Sequence, residues 1–368
     1  MDFIHQVEPY ITDLEAKALT SYLQSGGWLT EFKKTEEFEK SLAEFLGVRY
    51  AVTVTSGTVG LYLALLAAGI RPGDKVIVPN YTMIATINAV KWTGAEPVIV
   101  DIDPVHLCTD LMTVKLDRSC KAFIYVSING RSGNMNEVVN FSRRNNLLLV
   151  EDACQSLGSL WNNQCLGTFG DIGVFSFTPH KIITTGQGGL IVSNDEGIYK
   201  RVKKLKDFDR VAPASDWHEG IGYNFKFTDL QSVVGLEQLK IISFRINKKK
   251  EIFKRYQDLL KDISSIKFLP TDLTQTTPWF IDILLPSQVV CDQLMVFLKQ
   301  HSIGSRPFYP PINHQKPYSD YPKGSFPISE SVAYCGLWLP SSIGLADNKI
   351  DYICQTIRKF VQESYGGS

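Results

Sequence analysis

One lysine in this 368-residue chain stands in a setting that a surface lysine does not need. Lys181 comes five residues after Ser176, behind the apolar run VFSF, and a Gly-x-Gly-Gly turn (186–189) begins five residues after it. Glycines permit tight backbone geometry there. A lysine amine that is partly desolvated and deprotonated condenses with an aldehyde to a Schiff base. Taken alone, a solvated loop lysine is the commoner explanation.

Three further stretches bear on the choice. TSGT (55–58) falls between a strand-like run and a helical one. Gly57 and Thr58 would there offer free backbone N–H groups at the positive end of a helix, which suits a phosphate. An ordinary cap by Ser56 or Thr58 explains the same letters. VEDACQS puts Asp152 just after the apolar LLLV, and ligands of open α/β sheets sit at the carboxyl ends of strands. That carboxylate could meet a positive ring nitrogen, bind a metal or cap the next helix. GYNFKFTDLQ (222–231) is a loop leading into a helix, with Thr228 and Gln231 spaced as a capping box. A phosphate cradle, an acid for a ring nitrogen and an aldehyde-capturing lysine are together what pyridoxal 5′-phosphate (PLP) requires. Their joint presence outweighs the separate bland readings.

These residues need rigid elements to hold them. Helices are expected over 12–24, before Gly26-Gly27, and over 35–47, closed by Gly47. Strand-like and helical runs then alternate: YAVTV, a helix through SGTVGLYLALLAAG, KVIVP, a helix through TMIATINAVKWTG, then EPVIVDID, AFIYVSI, a helix over MNEVVNFSRRNN, and LLLVEDA. This rhythm implies a mostly parallel sheet covered on both faces. DIGVFSF and GLIVSND read as strands joined by the lysine and glycine turn, 196–206 as a helix, and 227–260 as one long helix. Beyond residue 266 the pattern shortens: a β-like PWFIDILL, a helix over 288–301, and a proline-rich loop, RPFYPPINHQKPY. The expected organisation is a large α/β domain over 1–245, with an N-terminal helical segment, and a small C-terminal α/β domain over 246–368. The closing GGS reads as a cloning remnant.

Composition excludes little but points one way. Hydrophobic residues make up 44% and charged residues 21%, and 38 Lys+Arg balance 38 Asp+Glu. Nothing here favours a nucleic-acid or membrane-surface partner. The seven cysteines are odd in number and contain no C-x-x-C pair, which argues against a disulfide framework or a zinc site. Free thiols suit a reducing cytosol. The opening MDFIHQVEPYITDLEAK lacks a basic and apolar signal pattern, and no run is long enough for a membrane span. A cytoplasmic protein is expected.

The chain resembles the DegT/DnrJ/EryC1/StrS family of PLP-dependent sugar aminotransferases, of the fold-type I (aspartate-aminotransferase-like) class. The resemblance runs through GGWLTEF, SGTVGLYLAL, GDKVIVPNYT, AVKWTGAEPVIVDID, EDACQS, GTFGDIGVFSFTPHKIITTGQGG, IGYNFKFTDLQSVVGLEQL and SRPFYPPINHQ. NYTMIATINAVKWTGA, with the ITTG after Lys181, looks nearest to sugar 4-aminotransferases, the GDP-perosamine synthases among them. The resemblance implies that Lys181 bonds the cofactor, Asp152 pairs with its ring nitrogen and Gln155 lies by its ring hydroxyl. It puts Gly57, Thr58 and Ser176 on the phosphate, with Asn224 reaching the phosphate from a neighbouring subunit of a homodimer. It implies that Trp28, Lys226, Arg306, Tyr309 and Asn313 face the nucleotide sugar. The implied reaction moves an amino group from L-glutamate to C4 of a nucleotide-linked 4-keto-6-deoxy sugar. A 3-aminotransferase, a PLP-dependent sugar dehydratase and a non-catalytic PLP-binding regulator are the alternatives. Dehydratase relatives carry histidine in place of the lysine; the spacing from Ser176 and to Gly186 assigns Lys181, not His180, to that position. The chain departs from the family pattern at Met83, where an aromatic is common over the cofactor, at Gln187 for Glu, at Lys226 for Arg, and at Asn129 and Arg131 in INGRSGNM.

Overall fold

The computed structural model describes residues 2–212 and 215–365, so the closing GGS lies outside the described residues. The chain opens with α1 (Asp13–Gln24) and α2 (Lys33–Leu46). Thr12 caps α1 through a capping box with Glu15, and Gly47 ends α2 in the left-handed region at φ 70°. There follow β1 (Tyr50–Val54), α3 (Gly57–Ala67), β2 (Lys75–Pro79), α4 (Ala85–Trp92), β3 (Glu96–Val100), β4 (Cys120–Val126), α5 (Met135–Arg144) and β5 (Leu148–Asp152). A small hairpin, β6 (Leu160–Trp161) and β7 (Gln164–Cys165), leads to β8 (Ile172–Ser176), β9 (Gly189–Ser193) and α6 (Glu196–Lys206). The rest comprises α7 (Asp229–Lys240), α8 (Ile242–Leu260), β10 (Ile281–Leu284), α9 (Gln288–Gln300), β11 (Arg306–Pro307), α10 (Pro327–Cys335), β12 (Gly336–Leu339) and α11 (Asp347–Tyr365).

The main sheet has the order β1-β9-β8-β5-β4-β2-β3. β9 alone runs against its neighbours; the β2–β3, β2–β4, β4–β5 and β5–β8 pairs are parallel. The strands are nearly all buried, as a sheet covered on both faces requires. The carboxyl ends of β1, β5 and β8 therefore share one edge with the start of β9. Val54, Gly189 and Ser176 stand abreast in register, which gathers the three motifs that surround Lys181.

The expected long helix over 227–260 is two helices. Ile241 leaves helical geometry at φ −110°, ψ 21°. α7 packs on α1 and α2, while α8 turns away and buries Ile252, Phe253 and Tyr256 in a second core. That core is built around β10, α8, α9 and α11, and also takes in Ile4 from the N-terminal segment. PWFIDILL is strand only from Ile281 onward; Trp279 and Phe280 pack into the core of the main sheet. The proline-rich loop also contributes a short strand, β11, which pairs with β12.

Candidate active site

The strand ends frame a cavity of about 330 Å3, with Lys181 in its wall. Lys181 keeps part of its surface open to that space, yet the protein around its amine strips away most water. Burial pushes the amine down to about 8, against the opposing pull of the Asp152 carboxylate. A neutral, nucleophilic fraction is thus available near neutral pH. The neighbouring Cys154 thiol is held up by burial and stays protonated.

Asp152 ends β5 and is buried at the cavity wall. One of its oxygens accepts from Thr86 Oγ at 2.7 Å, the other from the Cys154 N–H at 3.2 Å. Thr86 comes from the first turn of α4. The alternation of a strand turns the preceding Glu151 to the opposite face. There it accepts from the N–H groups of Gly167, Phe169 and Gly170 at 2.6–2.8 Å, and burial pushes it up to about 7. Adjacent carboxylates so take separate tasks: one faces the cavity and one pins a loop.

The end of β1 runs directly into α3. Ser56 caps this helix, its Oγ accepting from the Val59 N–H at 3.2 Å. Gly57 and Thr58 then line the cavity at the helix's positive end, beside Ser176. Packing here demands glycine. A Cβ on Gly57 would come within 2.7 Å of Cys154 Sγ, and one on Gly189 within 2.5 Å of the Ser56 carbonyl. A free helix N-terminus, a hydroxyl, a buried carboxylate and an amine of lowered pKa around one cavity fit the phosphate, ring nitrogen and aldehyde of PLP. Gln155, Met83, Arg306 and Tyr309 line the same space. Gln155 Oε1 accepts from the Asn129 N–H at 2.8 Å, which turns its NH2 group away from that contact. Arg306 lies over the rings of Tyr309 and Trp338, 5.6 and 5.5 Å from their centroids.

Four residues expected from the sequence lie elsewhere. Asn313 is fully buried, and its side chain is consumed by Asn80, Glu330 and the Pro322 carbonyl at 2.8–3.1 Å. It braces the proline-rich loop and cannot face a sugar. Trp28 is 61% exposed and outside the cavity, its Nε1 donating to Thr30 Oγ at 2.7 Å. Lys226 pairs with Asp207 and lies over Phe208. Asn224 is exposed beyond the cavity wall, bridged through its backbone to Asp207. The departures at 129 and 131 are structural links: Arg131 forms a buried ion pair with Asp282, and Asn129 holds Phe280. Trp279, like Thr86 and Asn129, is a wall or support of the cavity that no local motif reveals.

The sequence and fold can be set beside known proteins. A GDP-perosamine synthase of Escherichia coli O157:H7 is 34% identical over 99% of this chain and 100% of its own length. One from Vibrio cholerae is 34% identical over 96% of this chain and 98% of its own. Among solved structures, a DegT/DnrJ/EryC1/StrS aminotransferase from Brucella abortus superposes with a TM-score of 0.87 at 30% identity, covering 95% of each chain. An E. coli GDP-4-keto-6-deoxy-D-mannose-3-dehydratase with bound hydrated PLP gives 0.88 at 25% identity, covering 97% of this chain and all of the other. The DegT/DnrJ/EryC1/StrS aminotransferase family model matches residues 9–358. With a mostly parallel sheet of the fold-type I kind and a lysine at its edge, the chain belongs to this family and is a PLP-dependent enzyme.

Proposed function

We propose that this enzyme transfers an amino group from L-glutamate to C4 of a nucleotide-linked 4-keto-6-deoxy sugar, as a perosamine-synthase-like 4-aminotransferase. The carrying observation is the desolvated Lys181 amine in a cavity that also presents Asp152 and the N-terminus of α3. The full-length likeness to GDP-perosamine synthases supports the substrate class. A lysine at this position supports transamination over dehydration.

Bound PLP supplies an electron sink for the pair left when the donor's Cα–H bond breaks. Gly57, Thr58 and Ser176 would hold the phosphate at the N-terminus of α3. Asp152 would pair with the ring nitrogen and keep it protonated, and Thr86, donating to that carboxylate, would keep it aimed. Gln155 would lie by the ring hydroxyl, and the Met83 thioether would lie against the ring, both lining the same cavity. Lys181 Nζ takes the proton from the donor carbon and later gives one back, a general acid–base role suited to an amine titrating near 8. Arg306 and Tyr309 face the sugar nucleotide.

The site is read as shared in a homodimer. The segment of Trp28 adjoins the loop of Asn224 and Lys226: Glu31 accepts from the Phe227 N–H at 3.0 Å, and Asp229 from that of Phe32 at 2.8 Å. These residues lie outside their own cavity, so a second copy would bring Asn224 to the phosphate. The division of the chain near residue 245 is retained, with α8 leading into the second core. Seven free cysteines support a reducing compartment, the cytoplasm in this reading. Two measurements test the reading. The protein with PLP should show a visible band that bleaches on L-glutamate, and a GDP-4-keto-6-deoxy sugar should restore it with an aminated product. A band that glutamate never alters, with the keto sugar left unaminated, would remove the aminotransferase assignment.

A further inference from the structure

Trp279 presents its indole face to Lys181, with Nζ 3.8 Å from the ring centroid. The ring is buried. Its Nε1 donates to the His180 carbonyl at 2.8 Å, one residue before the lysine. Phe280 stacks on it at 3.8 Å between centroids. Phe280 is clasped in turn by the Asn129 side chain. The Phe280 N–H donates to Asn129 Oδ1 at 2.6 Å, and Asn129 Nδ2 donates to the Phe280 carbonyl at 2.9 Å. Asn129 sits at φ 52° and also holds Gln155 through its own N–H. One residue thus connects two walls of the cavity.

The groups around the Lys181 amine act on its charge in opposite senses. Asp152 favours the ammonium; burial and Arg306 oppose it, and His180 is its chain neighbour. An aromatic face attracts an ammonium within about 6 Å but not a neutral amine, and more strongly where water is excluded. The structure assigns Trp279 as a positioning residue for Lys181: its fixed face holds the protonated amine beside the cavity, with Asn129 keeping the ring in register. The assignment rests on the transaminase reading above. There, Lys181 Nζ becomes an ammonium each time it takes a proton from the donor carbon, and must wait in place before returning it.

The test reads the amine directly. In protein freed of cofactor, reaction of residue 181 with trinitrobenzenesulfonate is followed against pH, with peptide mapping to isolate that lysine. Leucine keeps the site dry but has no π-face. Trp279→Leu is expected to move the labelling midpoint down by about half a pH unit or more. Trp279→Phe should retain most of the wild-type midpoint. Asn129→Gly, which suits a left-handed backbone, should move it the same way by less. In the loaded enzyme Trp279→Leu should lower kcat about tenfold, with a smaller change in the KM for glutamate. A midpoint that stays put while the melting temperature falls would assign Trp279 to packing alone and overturn the proposal, as would an upward shift. The wild-type band and its response to glutamate test the transaminase reading separately, since the labelling needs no cofactor.

Discussion

Lys181 and Lys249 are both stripped of water, and burial pushes their amines down to about 8 and about 7. Their surroundings otherwise differ. Lys181 opens on a cavity of about 330 Å3 shared with a carboxylate and an indole face. Lys249 donates to the Ser341 carbonyl at 2.6 Å, beside a space of about 10 Å3. That space is about one water's worth. A depressed amine pKa is common to both, so it does not by itself make a reactive residue. Access to a cavity shared with a carboxylate is what distinguishes Lys181 of the two.

Substitutions should separate the two sites steeply. Lys181→Ala is expected to remove the visible cofactor band and to lower turnover by roughly 10⁴-fold or more. The melting temperature should stay within a few degrees, as measured by calorimetry. Normal turnover in that variant would end the assignment of Lys181. Asp152→Asn should retain bound cofactor but slow glutamate half-turnover by roughly 10²–10⁴-fold in stopped-flow absorbance. A full rate there would give the ring nitrogen another partner.

Thr86→Val removes one hydrogen bond to a buried carboxylate, a contact of about 1.5–3 kcal/mol. A loss of about tenfold in kcat is expected, with cofactor affinity little changed. Lys249→Met should have the smallest effect on activity, within about threefold, and its signature is in stability. The folded amine titrates near 7, below its unfolded value of about 10.4. Between those values the unfolded chain binds more protons, so the wild-type protein gains stability as pH rises through this window. Below pH 7 the charged amine must be buried, and the destabilisation is complete. Lys249→Met should flatten this rise in a melting-temperature profile from pH 6 to 10. An unchanged slope would mean that Lys249 reaches water when folded.

Much of the cavity wall around Lys181 was legible locally. Gly57, Thr58, Asp152, Ser176 and Lys181 each lie within a few residues of a strand end, where a short motif and an apolar run occur together. The supports of that wall were not. Trp279 lies in a run that reads as plain strand, and nothing near Thr86 in sequence indicates that it meets Asp152. Asn313 shows the reverse error. Its motif suggested a sugar contact, but the long-range partners Asn80 and Glu330 take up its amide. The helix break at Ile241 has no local signature for a similar reason: apolar residues continue across it, and the change of direction is set by which core each half packs into.

The alternation of apolar runs and helices determined the mostly parallel sheet, since strands buried on both faces must be apolar throughout. Glycine and capping residues determined where the chain could turn at the sheet's edge. Tertiary structure alone decided the electrostatic character of the site. The lowered pKa of Lys181, the aim of Asp152 and the clasp of Asn129 on Phe280 arise between residues far apart in sequence. Desolvation, hydrogen-bond direction and ring placement depend on what lies within a few ångströms, and for these side chains the neighbours come from other elements of the fold.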